Sequence, residues 1–186
     1  FHDIWIFLIL IKLNVLLFLI LQTFILTIYK HRMNLDQFII PLEKHLTKDI
    51  VDGHVNGSLT VVWRNWDKII NDPKMIYISS VEPGETKGPH IHLKRNSYFF
   101  CIRGSVVFII KNENGEYLEI ETSEEKPTII FVPKNYPSAH VNLSSDISRI
   151  LVLADIAWKP NDNEMQNVNF DDYDWNKWNS LSQTKN

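Results

Sequence analysis

GETKGPHIHLKRNSYFFCIRG, residues Gly84 to Gly104, carries the reading from which the rest of the chain is ordered. Side chains in a strand alternate between faces, so His90 and His92 project together while Ile91 points the other way. The apolar run from Tyr98 to Ile102 has the aromatic and β-branched content of a second strand, and glycines close the stretch at both ends. Two imidazoles thus share one face of an otherwise β-forming, apolar region. A satisfied polar pair in a barrel wall is the bland alternative, since buried polar groups cost free energy unless paired.

Downstream and upstream of this stretch the period is that of strands. Candidate strands are Leu59–Trp63, Met75–Val81, Pro89–Leu93, Tyr98–Arg103, Ser105–Lys111, Tyr117–Glu121, Thr128–Val132, Ala139–Leu143 and Ile147–Ala157. Turn chemistry separates them: Asn112 to Gly115 reads as a hairpin loop, and Glu82-Pro83-Gly84 and Pro133-Lys134-Asn135 as turns. So many short strands at close spacing predict an all-β sandwich or barrel. Before them, Leu35, Phe38, Ile39, Leu42 and Leu46 recur at helical spacing around Pro41, which predicts a short helix and a turn over 34–52. Residues 159–186 are polar and acidic and are expected to run over the barrel surface, with a frayed tail.

Residues 1–32 are of different material. Ile4 to Tyr29 is almost wholly apolar, long enough for the ~20 residues a membrane helix needs. Lys30, His31 and Arg32 follow it, and the positive-inside tendency would leave the domain at 33–186 on the cytoplasmic side. A membrane anchor is one reading. An uncleaved signal is disfavoured by the long apolar core, Asp3 near the start and no small-residue cleavage site. The third reading is a mistranslated upstream region, because the sequence begins with Phe1 while Met33 opens the compact remainder.

Composition narrows the function classes. A chain of 186 residues that is 45% hydrophobic can bury a real core, and a net charge of −3 offers no footprint for nucleic acid. One cysteine, Cys101, excludes an intramolecular disulfide framework and a cysteine-rich zinc site.

The histidine region resembles the first cupin motif: a glycine, five residues, His-x-His, and a closing glycine. The glutamate of that motif falls here on Ser97. Phe131 to Asn142, with His140, resembles the second cupin motif, and Val152 to Asp172 is similar in layout to the ends of dTDP-4-dehydrorhamnose 3,5-epimerases and dTDP-sugar 3,4-ketoisomerases. The chain is thereby identified as a member of the RmlC-like cupin family of nucleotide-sugar enzymes. The resemblance implies an all-β, cupin-type double-stranded β-helix, a jelly-roll barrel. It implies His90 as base, with a supporting aspartate at Asp171 or, preferably, Asp172. The epimerase lysine and tyrosine positions fall on Ser97 and Val152, whereas His90-Ile91-His92-Leu93-Lys94 is closer to the ketoisomerase segment. The resemblance further implies a homodimer and a role in surface-polysaccharide synthesis.

Both reactions remove a proton from carbon beside a ketone, which needs a base and a donor for the enolate oxygen. A neutral imidazole suits the first task, with a carboxylate on its far nitrogen to fix the tautomer. Candidate donors are His92, Lys94, Arg95, Tyr98 and Tyr136, and Lys87, Lys94, Arg95 and Arg103 are candidate contacts for a substrate diphosphate. The expected site is thus His90, His92, Asp172 and Tyr98 for chemistry, with Lys87, Lys94, Arg95, Tyr136 and His140 for substrate and no cofactor. The alternative is a divalent transition metal on His90, His92 and His140, or a sugar-binding cupin without catalysis.

Overall fold

Strands rich in Val, Ile, Phe and Tyr pair here into two sheets whose apolar residues serve both faces, because each sheet is covered inside and out. The computed structural model describes residues 2–67, 69–70 and 72–181, and the chain divides into two compact units, 1–37 and 38–186.

The first unit is one helix, α1 (His2–Asp36). The described side chains from Lys12 to Thr27 are exposed. Among the described residues no helix is long and apolar enough to cross a membrane. The anchor expected at Ile4–Tyr29 is therefore not supported, and the side chains at its two ends lie outside the described residues.

The second unit begins with β1 (Ile39–Pro41), β2 (Lys44–Lys48) and β3 (Val55–Thr60). The helical spacing over 34–52 thus resolves otherwise. The helix ends at Asp36, and β-branched Ile39 and Ile40 pair with Ile130 and Ile129. Pro41, with no N–H to give to a ladder, ends the strand at the sheet edge. Next come β4 (Met75–Val81), β5 (Thr86–His92), β6 (Ser97–Arg103), β7 (Ser105–Lys111), β8 (Tyr117–Ser123), β9 (Thr128–Val132), β10 (Ser138–Asn142), β11 (Ser148–Ala154) and β12 (Met165–Asn167). A 3-10 turn, Trp175–Leu181, ends the described chain.

The strands form two five-stranded antiparallel sheets, β1-β9-β6-β11-β4 and β12-β5-β10-β7-β8, and β2 and β3 form a separate hairpin. This is a jelly-roll barrel. Phe99 of β6 meets Phe108 of β7 at 5.0 Å between ring centroids, joining the sheets across the interior. Alternation then fixes the rest of the inner face: Ser97 and Cys101 beside Phe99, and Tyr77, Ser79 and Val81 on β4. The outer face of the first sheet buries Tyr98, Ile129 and Leu153 against Ile70, with Ile40, Leu42, Val62 and Trp63 packed over them. The outer face of the second buries Val107, Ile109, Ala139 and Val141 under Phe170 and Tyr173 of the C-terminal segment.

Candidate functional site

The site lies on the inner face of β5 and is built by a register shift. His90 pairs with Ser138, but His140 pairs with Lys87, so one extra residue stands on β5 between them. Parity changes there, and Lys87 joins His90 and His92 on the inner face, its Nζ donating to Ser79 Oγ of the opposite sheet at 3.0 Å. The His90 and His92 rings lie 5.2 Å apart and nearly perpendicular.

His92 is buried and held on two sides. Both carboxylate oxygens of Glu164 lie 2.9 Å from its Nδ1, so Nδ1–H donates to Glu164 and the tautomer is fixed. Backbone bonds put Glu164 there: β12 pairs with β5, Met165 opposite His92, and Leu93 N donates to Glu164 O at 2.8 Å. Arg95 Nη2 lies 3.1 Å from Nδ1 and 2.8 Å from Nε2 of the same ring. An atom that close to both nitrogens cannot sit in the ring plane without striking the carbon between them. The guanidinium therefore lies against the ring face and leaves the in-plane lone pair of Nε2 unspent.

Arg95 is itself buried, 3.9 Å from Glu164 through Nε, and that Nε has no hydrogen-bond acceptor among the described residues. A latch fixes the turn that carries it. Asn96 donates from N and Nδ2 to Asp155 at 2.8 and 2.7 Å, and its Oδ1 accepts from Lys134 N.

Electrostatics keep these rings neutral. Burial, then the neighbouring His92 and Arg95, pushes His90 down to about 4. Burial and Arg95 lower His92 as well, opposed by the hydrogen bond to Glu164. Burial takes His140 down to about 3; its ring lies 5.1 Å from Phe108 and 6.1 Å from Phe99, and its Nε2 has no partner among the described residues. Burial also raises the Tyr77 hydroxyl, which feels the Arg95 and Glu164 charges from β4.

His90, His92, Arg95, Lys87 and His140 are thus brought together, and four other expected residues are not. Asp172 accepts from Tyr117 Oη and from Lys111 Nζ on the outer face of the second sheet. Phe170 and Tyr173 on either side of it are buried in the outer core, which ties Asp172 across the sheet from His90. The carboxylate that meets a barrel histidine is Glu164, and the imidazole it meets is His92. Tyr98 faces outward and stacks on Phe131 at 4.8 Å, because alternation gives the inner positions to Ser97 and Phe99. Lys94 is exposed in the turn after β5, and Tyr136 donates to Glu113 with its ring edge on Phe38. Nor do the donor atoms of His90, His92 and His140 converge as a metal set. The one group of three close donors among the described residues is Asp49, Asp52 and His54, on the turn between β2 and β3.

Sequence reasoning missed Glu164 and Tyr77. The second was accessible, since Tyr77 shares the inner parity of β4 with Ser79 and Val81. The first was not, because Glu164 sits among Asn and Asp residues in a loop whose course depends on β12.

Two antiparallel sheets closed over an inward-facing His-x-His pair define a cupin jelly roll of the RmlC-like kind. Residues 41–174 match the family described as FdtA: WxcM-like, C-terminal, and the chain belongs to that family. Solved structures share the fold. A dTDP sugar isomerase from Desulfovibrio desulfuricans G20 is similar at 14% identity and a TM-score of 0.61, over 72% of this chain and 83% of that one. A 3,4-ketoisomerase from Helicobacter canadensis is similar at 21% identity and 0.55, over 77% and 96%. The capsular polysaccharide assembling protein CapF from Staphylococcus aureus is similar at 23% identity and 0.50, over 52% of this chain but only 27% of that one. No curated protein matches the chain.

Proposed function

We propose that this chain is a nucleotide-sugar isomerase or epimerase, acting on a dTDP-4-keto-6-deoxy sugar by proton abstraction beside the ketone. The observation that carries the reading is the buried His92–Glu164 pair with His90 5.2 Å away on the same inner face. Neighbours described as a dTDP sugar isomerase and a 3,4-ketoisomerase support the substrate class.

In this reading His92 Nε2 takes the proton from carbon, and the C–H electron pair moves toward the carbonyl oxygen to give an enolate. Glu164 stabilises the resulting imidazolium through Nδ1–H, and the positive charge of the Arg95 guanidinium beside the ring favours the developing enolate. His90, neutral above its depressed pKa of about 4, relays a proton for its return to carbon. Return to the same carbon on the other face epimerises. Return to the former carbonyl carbon, with a proton moving between the oxygens, shifts the ketone. Lys87 is the cation available for the diphosphate, and the reaction needs no bound cation. In the same reading the product feeds surface-polysaccharide synthesis and the domain works in the cytoplasm.

The same reading includes a homodimer. The β2–β3 hairpin exposes Leu46, Val55 and Leu59 at 67%, 53% and 55%, apolar area that a second copy would cover. The test is incubation of the purified protein with a dTDP-4-keto-6-deoxyhexose, followed by proton NMR of the sugar ring. A new epimer or a shifted ketone supports the reading. An unaltered substrate under conditions where the sugar nucleotide binds would leave a sugar-binding cupin instead.

A further inference from the structure

A cavity of about 380 Å³ lies behind the strand that carries the histidines. Thr86, Gly88 and Pro89 of β5 form one wall, and Asn169, Asp171 and Trp175 are among its other lining residues. The register shift that turns Lys87 inward leaves Thr86 and Gly88 on the outer side, so this cavity and the histidine site occupy opposite faces of one strand. Its volume is in the range of small-molecule sites.

The lining is chemically particular. The side chains of Thr86, Asn169 and Asp171 make no hydrogen bond or ion pair with other described residues. Among the described residues, a carboxylate, an amide and a hydroxyl therefore stand without partners around one hollow. Beside them the Trp175 indole is partly exposed and is held by stacking on Phe170, 6.2 Å between centroids at 14°, and by the edge contact with Tyr173 at 4.8 Å. Among the described residues no lysine, arginine or histidine lines the cavity, so these residues offer no cation to a phosphate or a carboxylate. A carboxylate and an amide together accept and donate to vicinal hydroxyls, and a fixed aromatic ring covers the C–H face of a sugar ring.

We propose that this outer cavity is a carbohydrate site for a neutral saccharide, separate from the histidine site, with Asp171 and Asn169 as hydroxyl partners and Trp175 as the apolar platform. It does not rest on the isomerase reading, because its residues face away from His90 and His92.

The test is saturation-transfer NMR and calorimetry on the full chain, with methyl β-D-glucopyranoside as the probe and inorganic phosphate as the counter-probe. Saturable millimolar binding of the glucoside, with none of phosphate, is expected. Asp171→Ala should weaken it several-fold, and so should Trp175→Leu, provided its near-ultraviolet circular dichroism is native. Should Trp175→Leu fail to fold, Asn169→Ala takes its place with the same expectation. Absence of saturable binding overturns the proposal. So does binding that survives both substitutions, or binding lost in His92→Asn while Asp171→Ala keeps it, since either result moves the sugar elsewhere.

Discussion

Glu164 and His92 stand 72 residues apart in the chain, yet both carboxylate oxygens lie 2.9 Å from the imidazole Nδ1 in a buried setting. The contact closes the barrel wall at β12 and sets which ring nitrogen stays free. Burial and Arg95 disfavour the charged ring, and Glu164 is the group that opposes them. A base at this position therefore depends on its carboxylate.

Glu164→Gln keeps the shape and an acceptor for Nδ1–H but removes the charge that stabilises the imidazolium. Proton exchange from substrate should fall by roughly 10²-fold or more, with little change in substrate binding, as read by single-turnover kinetics and calorimetry. An unchanged exchange rate in a folded Glu164→Gln protein would exclude the dyad from the chemistry.

His140 and His90 give a signed dependence of stability on pH. Their folded-state values, about 3 and about 4, lie below the ordinary 6.5, so the unfolded chain binds protons first as pH falls. Their stabilising effect is fully present above about 6.5 and is lost as pH drops toward 3 to 4. For His140 a fall from 6.5 to about 3 is worth on the order of 5 kcal/mol once the titration is complete. His140→Leu removes both that titration and the unpartnered Nε2, so its denaturant midpoint should change less between pH 7 and pH 4 than that of the wild type. Parallel curves for the two proteins would contradict this.

Cys101 is fully buried, its Sγ donates toward the carbonyls of Arg103 and Gly104, and burial pushes its thiol up to about 11. Thiolate is the reactive form. A disulfide reagent at pH 8 should modify the native protein only at the rate of unfolding, and one equivalent should react at once in denaturant. Rapid labelling of the folded protein would contradict the packing of β6.

Asp172 supplies the converse control. It is exposed and held by Tyr117 and Lys111 on the outer face. Asp172→Asn should leave exchange within twofold or so of wild type, as ordinary surface substitutions do. A large loss would restore the carboxylate role that its place near the end of the chain suggested.

The barrel was legible because its signals are local. Short β-branched and aromatic runs at Met75–Val81, Ser105–Lys111 and Thr128–Val132, bounded by turn residues, mark strands that the structure reproduces end to end. The shared face of His90 and His92 follows from strand alternation. What was illegible depends on partners distant in sequence. Helical spacing around Phe38 and Leu42 arose from Ile39 and Ile40 docking on β9, a contact no local window contains. Asp172 was implied by the layout of the C-terminal segment, but Phe170 and Tyr173 bury themselves on the outer core and carry it with them. Glu164 reaches His92 through a three-residue strand within polar loop sequence, too short to leave a period.

The most direct test follows deuterium from solvent into the carbon beside the ketone of a dTDP-4-keto-6-deoxyhexose, comparing wild type with His92→Asn. The account predicts wash-in by the wild type and its loss in the variant, with the native circular dichroism retained. Wild-type wash-in by a folded His92→Asn protein would contradict it and remove the inner-face histidine from the base role.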